Sequence, residues 1–147
     1  VDNTLEWYAK VESTDTYSPT NEIYGGTLNK NNQIHLFLQL WNNRFGDTNV
    51  SDFSNFNINM FFEHEEDKTL LDFCKVYVNN HEVEIQKVDN YGIINMSNIV
   101  LSGEKNDGLE KNSPSNFCNI NIEILSTENK NFKPADLKNL YFEIIQF

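Results

Sequence analysis

The side chains with the most chemical potential lie in one short run, Glu63-His64-Glu65-Glu66-Asp67-Lys68. A zinc protease helix needs two histidines on one face, four positions apart, with a glutamate between them. Here His64 stands alone, and His35 and His81 are scattered elsewhere. A second acidic stretch, Asp47-Thr48-Asn49-Val50-Ser51-Asp52, begins like a calcium loop. An EF-hand turns on glycine at its sixth position and chelates with glutamate at its twelfth, where this chain has Asp52 and Ile58. A looser calcium site in a sandwich loop would draw on Asp47, Asp52, Glu65, Glu66 and Asp67, which are the candidate metal ligands. The plainer reading is solvated loop acids, with calcium the one cofactor left open. No phosphate loop, dinucleotide fingerprint or Gly-x-Ser-x-Gly elbow occurs, so no catalytic residue is assigned and the chain is expected not to be an enzyme.

Cys74 and Cys118 follow no metal-ligand spacing. Both fall on apolar strand faces, as small buried thiols do, and a disulfide between facing strands stays open. The aromatic residues are the better candidates for recognition. Tyr8, Phe37, Trp41, Phe61, Tyr77 and Tyr141 lie opposite the main core faces if strand alternation holds. Exposed rings stack on sugars, whereas covered ones pack under loops or form subunit contacts. Trp7, Tyr8, Trp41, Tyr77 and Tyr91 are the candidate ligand-binding residues.

The 147 residues suit one domain, taken as 1–147, long enough to build a core without staples. With 22 acids against 11 bases the net charge is −11. Arg44 is the only arginine. Phosphate backbones are bound by clustered Lys and Arg, so nucleic acid is an improbable partner, as is insertion into a membrane, since no long apolar run occurs. Aromatic content of 13 %, with 11 Phe, argues against disorder. Asparagine is abundant, often in pairs such as Asn79-Asn80, and suits turns because it tolerates the left-handed backbone region.

A period of two dominates the elements that must position these residues. Leu5, Trp7, Ala9 and Val11 alternate with Glu6, Tyr8 and Lys10; Ile34, Leu36, Leu38 and Leu40 alternate with His35, Phe37, Gln39 and Trp41. Phe56, Ile58, Met60 and Phe62 read the same way, as do Cys118, Ile120, Ile122 and Ile124. Cys74–Val78 and Val83–Ile85 flank Asn79-Asn80 as a hairpin. Ile93–Leu101 reads as one strand, Ile23–Leu28 as a short one, and Leu140, Phe142 and Ile144 as the last. One helical turn is expected within 63–73 and another from Pro134 through Asp136. About eight or nine short strands with at most short helical turns point to an all-β fold, a two-sheet antiparallel β-sandwich of immunoglobulin-like or jelly-roll type.

The run Trp41-Asn42-Asn43-Arg44-Phe45-Gly46, then Val50-x-Asp52-Phe53-x-Asn55-Phe56, Phe61-Phe62 and Glu66-Asp67-x-x-Leu70-Leu71, resembles β-sandwich modules of virion and tail proteins from phages of low-GC Gram-positive hosts. That resemblance covers about the middle third of the chain and carries no catalytic motif. It implies a structural or adhesion role (phage decoration, neck, tail or fibre, or a bacterial surface protein), on a virion or outside the cell, with protein partners or self-association in a larger assembly. A secondary similarity, to carbohydrate-binding sandwich modules, implies a cell-surface glycan as the alternative ligand.

Overall fold

Alternation of apolar and polar residues gives each strand one face for a core and one for the outside, and the computed structural model realises this pattern. It describes residues 4–10, 16–19, 27–28, 33–62, 71–89, 91–125, 135–136 and 140–147. The strands are β1 (Leu5–Lys10), β2 (Ser18–Pro19), β3 (Thr27–Leu28), β4 (Gln33–Asn42), β5 (Phe56–Phe62), β6 (Cys74–Val78), β7 (His81–Val83), β8 (Ile85–Val88), β9 (Tyr91–Asn95), β10 (Phe117–Leu125), β11 (Ala135–Asp136) and β12 (Leu140–Gln146). They form a six-stranded sheet in the order β2-β1-β4-β10-β6-β7, a four-stranded sheet in the order β12-β5-β9-β8, and the two-stranded pair β11-β3. All described pairings are antiparallel. The two larger sheets pack against each other, so the fold is the two-sheet β-sandwich that the sequence pattern implies.

Their inner faces meet in one cluster. Leu36, Leu38, Leu40, Val76, Val78, Ile120, Ile122 and Ile124 come from the six-stranded sheet; Phe56, Ile58, Met60, Phe62, Ile94 and Leu140 come from the four-stranded one. Each such side chain, fully buried, stabilises by about 1.5–3 kcal/mol before the ordering cost is counted. The register follows from this. Ile120 pairs with Leu38 and Val78, so a one-residue slip would send the whole β10 apolar row into water.

Several boundaries differ from the sequence reading. Val83 and Ile85 do not share one strand. The chain leaves the six-stranded sheet after β7, passes Glu84, and enters the four-stranded sheet as β8, closing that side of the sandwich. The strand expected over Ile93–Leu101 ends at Asn95, whose side chain accepts a hydrogen bond from Ser97 N at 2.8 Å, an Asx turn. Leu101 then makes a separate bridge to Phe53. Ala135–Asp136 is strand paired with β3 rather than part of a helical turn. The turn expected within 63–73 survives as a 3-10 turn at residues 71–73, and the rest of that span, like 23–26, lies outside the described residues. Asn79 and Asn80 both have positive φ, 49° and 69°, as a two-residue type I′ hairpin requires.

No disulfide joins the two cysteines. Both point inward, but Cys74 lies opposite Ile124 and Cys118 opposite Leu40, six residues apart along β10. At about 3.4 Å per residue they are too distant to bridge. Burial pushes both thiols up to about 12, so neither is a nucleophile at neutral pH.

Candidate functional site

Residues that face away from the core divide into three places. The first is a covered cluster at one end of the six-stranded sheet. Trp41 and Phe117 are register partners on β4 and β10, and their rings stack at 4.5 Å with 20° between planes. Tyr8 meets Trp41 edge-on at 6.4 Å. The Arg44 guanidinium lies 4.2 Å from the Trp41 ring centre and 4.3 Å from that of Tyr8. Arg44 Nε donates to Gly108 O at 3.1 Å. Gly108 has φ +77°, and a Cβ there would meet the Phe45 ring at 2.0 Å, so only glycine fits.

Asparagines fasten the loop above this cluster. Asn106 Oδ1 accepts from Phe45 N and Gly108 N at 3.1 and 2.9 Å, while its Nδ2 donates to Asn43 O at 2.7 Å. Trp41 Nε1 donates to Gln39 Oε1 at 2.9 Å, and Gln39 Nε2 donates to Asn119 Oδ1 and Glu110 Oε1, each at 3.0 Å. The amide groups of Gln39 and Asn106 and the Trp41 indole N–H that close over the rings thus have partners, which is what makes such burial tolerable. The Tyr8 hydroxyl donates to Glu6 at 2.7 Å. Burial first, then Glu6, pushes it up to about 12 against the opposing pull of Arg44.

The second place is the outer face of the four-stranded sheet. Pairing sets Tyr141, Phe61, Tyr91 and Val88 side by side across all four strands. Phe61 and Tyr141 stack at 5.6 Å and 23°. Ile145, Asn57 and Asn95 form a parallel row, and Glu143, Asn59 and Ile93 lie between the two. Tyr141 and Ile145 are exposed. Asn57 Oδ1 is buried and has no hydrogen-bond partner. At the margin runs β12, seven residues with a strand neighbour on one side only among the described residues.

The third place is a shallow depression of about 200 Å³ on the outer face of the six-stranded sheet, away from the covered cluster. Phe37, Tyr77, Asn121, Glu123, His35 and Asn80 line it. Asn121 pairs with Phe37 on one side and Tyr77 on the other. Its Oδ1 is buried without a partner.

The five aromatic residues read from the sequence are thus dispersed. Trp41 is fully buried and Tyr8 nearly so, at 4 % exposure; neither offers a ring face to a ligand, because Arg44 and the loop cover them. Trp7 turns inward, 6.1 Å from Phe142 between the sheets. Tyr77 lines the depression and Tyr91 joins the open row. Phe61 and Tyr141 complete that row, and Asn121 the depression. Alternation signals which face they take, but only the strand order shows that they are neighbours.

Among the proposed calcium ligands, Asp47 and Asp52 are exposed. Asp52 Oδ1 accepts from Gly103 N at 2.9 Å, so it fastens a loop. Glu65, Glu66 and Asp67 lie outside the described residues, as does His64. Among the described residues no three His, Cys, Asp or Glu side chains converge. No described helix is long and apolar enough to cross a membrane. The chain matches no protein-family model, no curated protein and no solved structure.

Proposed function

We propose that this chain is a non-enzymatic structural or adhesion module of a virion or bacterial surface, which joins an assembly by accepting a strand of a protein partner along β12. The observation that carries this reading is the length of the β12 edge, which has a strand neighbour on one side only among the described residues. Proteins blunt sheet edges by making them short, or by placing Lys, Pro or a bulge there. Among the described residues three of the four edges of the two larger sheets are short: β2 has two residues, β7 three, and β8 four with Lys87. β12 is Leu-Tyr-Phe-Glu-Ile-Ile-Gln, seven residues without Lys or Pro. Its outer side continues into the Tyr141–Phe61–Tyr91 row, an aromatic surface poor in charge, which is the composition of an interface centre.

Glu143 selects among partners. Two copies pairing antiparallel about the middle of β12 would set this acid against its own counterpart, and like charges directly opposite destabilise a sheet. The net charge of −11 adds to that repulsion. A partner strand with a basic residue opposite Glu143 meets neither obstacle. Removing the acid should therefore expose the edge to self-pairing. Light scattering on Glu143→Gln, at low and high salt and with or without calcium, is expected to show a dimer where the parent chain is a monomer at low salt. A variant that stays monomeric at high protein concentration would overturn the reading.

A further inference from the structure

We infer that the strand accepted along β12 is amphipathic and completes the core: its inward side chains are apolar and close the flank of the sandwich between β1 and β12, while a lysine or arginine on its outward side faces Glu143. This rests on the reading that β12 takes a partner strand, and adds what that strand must carry. The two flanks of the sandwich differ. On one, the chain passes from β7 into β8 through Glu84 alone, so the two sheets are joined there by the backbone itself. On the other, the described sheets end on β2 and β12. Trp7 of β1 meets Phe142 of β12 at 6.1 Å between ring centres, which puts β12 across the core from β1. The six-stranded sheet outnumbers its partner by two strands, about 10 Å of width. Beyond β1 that sheet holds only the two residues of β2 among the described residues.

Burial records the consequence residue by residue. On β5, Ile58 and Met60 are fully buried. Their register partners on β12, Ile144 and Phe142, pack against the same core yet are only half-buried. Across the core the contrast repeats. Leu38 and Leu40 of β4 are buried, while Ala9 and Trp7, paired with them on β1, are half-buried, as is Leu5. Apolar side chains from two facing strands thus keep part of their surface in water along one flank. A strand added beside β12 sends alternate side chains the same way as Phe142 and Ile144. Polar groups placed there would give up water for a wall that offers them no hydrogen bonds, whereas apolar ones remove water from both surfaces. Charge sets the other side of the strand. Glu143 is exposed between Tyr141 and Ile145, and the chain carries −11 overall, so a basic residue belongs opposite that acid.

The test is an amide-shift titration of the isotope-labelled chain with two capped heptapeptides of identical composition. Ile-Thr-Ile-Lys-Val-Thr-Ile, paired antiparallel with its lysine opposite Glu143, sets isoleucine and valine beside Ile144 and Phe142. Ile-Ile-Thr-Lys-Thr-Val-Ile sets threonine beside both. The first is expected to shift the amides of residues 140–146 together with the Trp7 indole, and to bind at least about tenfold tighter than the second. Glutamate in place of its lysine should weaken it several-fold at low salt and less at high salt. The inference is overturned if the two lysine peptides bind β12 equally well, if the first moves residues 140–146 but leaves Trp7 unmoved, or if neither binds. Its failure is distinct from that of the reading beneath it. Equal binding at β12 leaves strand acceptance standing and removes only the demand for an apolar inward side, whereas a Glu143→Gln chain that stays monomeric in light scattering removes the acceptance itself.

Discussion

Tyr8, Trp41 and Phe117 on the six-stranded sheet, and Tyr141, Phe61 and Tyr91 on the four-stranded sheet, are two sets of aromatic side chains facing away from one core. The first set is roofed by Arg44 and a loop whose polar groups are paired through Asn43, Asn106 and Gln39. The second has no such roof among the described residues, and Tyr141 stands 44 % exposed. The difference teaches what the same residue types mean under different cover. Closing over aromatic rings requires partners for every backbone and amide group brought in with them, and that work is visible at one face alone. At the other, the apolar surface has no such cover among the described residues, and it lies beside the seven-residue margin strand β12. The only arginine, the one guanidinium available to stack on rings, is committed to the roof.

Substitutions that break the roof should therefore have the largest effects. Trp41→Ala removes a fully buried ring stacked on Phe117 and leaves Gln39 Oε1 without its indole donor. The expected loss is about 3–5 kcal/mol, measured by urea unfolding. A loss under about 1 kcal/mol would mean that the cluster is an appendage rather than a second core. Arg44→Ala comes next, at about 1–2 kcal/mol, because the guanidinium covers both Tyr8 and Trp41 while holding Gly108 O. Arg44→Lys should recover less than half of that, since an ammonium has no planar face to lay on two rings. Equal stability of Arg44→Lys and the parent would show that charge alone suffices.

The roof also explains where sequence reading stops. The inner faces were legible because Leu36, Leu38, Leu40 and Ile120, Ile122, Ile124 alternate without interruption, and a period of two leaves one solution for the core. The Asn79-Asn80 hairpin was legible for a local reason, the tolerance of asparagine for positive φ. What the pattern cannot encode is which strands are neighbours. Phe61 and Tyr91 are 30 positions apart, and Tyr141 another 50, yet they share a row. Nor does alternation reveal cover. Trp41 and Tyr77 both face outward, but only Trp41 lies under Arg44, since burial there depends on a loop more than 60 residues further along. Glu84, one residue between two sheets, carries no composition signal at all.

Alkali offers a graded test of the same cover. Burial raises Tyr8 to about 12, and Cys74 and Cys118 likewise, against ordinary values near 10 for tyrosine and ~8.5–9 for cysteine. Above about pH 9 the unfolded chain sheds protons that the folded chain keeps, so stability is full below that point and declines as pH rises towards about 12. Tyr8→Phe should remove only the upper part of this decline, between about pH 10 and 12, leaving the cysteine part intact. Thermal melts at half-unit steps would show it. An unchanged profile in Tyr8→Phe would mean that its hydroxyl titrates freely through the roof.

The smallest effect on stability should come from the open face, and that smallness is what makes it informative. Tyr141→Ser removes a ring as large as Tyr8 from the same kind of strand position. It is expected to change unfolding free energy by no more than about 0.5 kcal/mol, because the ring is already in contact with water and its ring partner among the described residues is Phe61 alone. In the Glu143→Gln background, however, Tyr141→Ser should weaken dimerisation, since the ring lies on the outer side of the pairing strand and would extend the row across the joint. A cost nearer 2 kcal/mol, with dimerisation unaffected, would place Tyr141 with Trp41 as a ring held for folding. Little cost with lost association separates the two faces by purpose: one aromatic set is sealed to hold the loop end together, and the other is kept open for a partner strand.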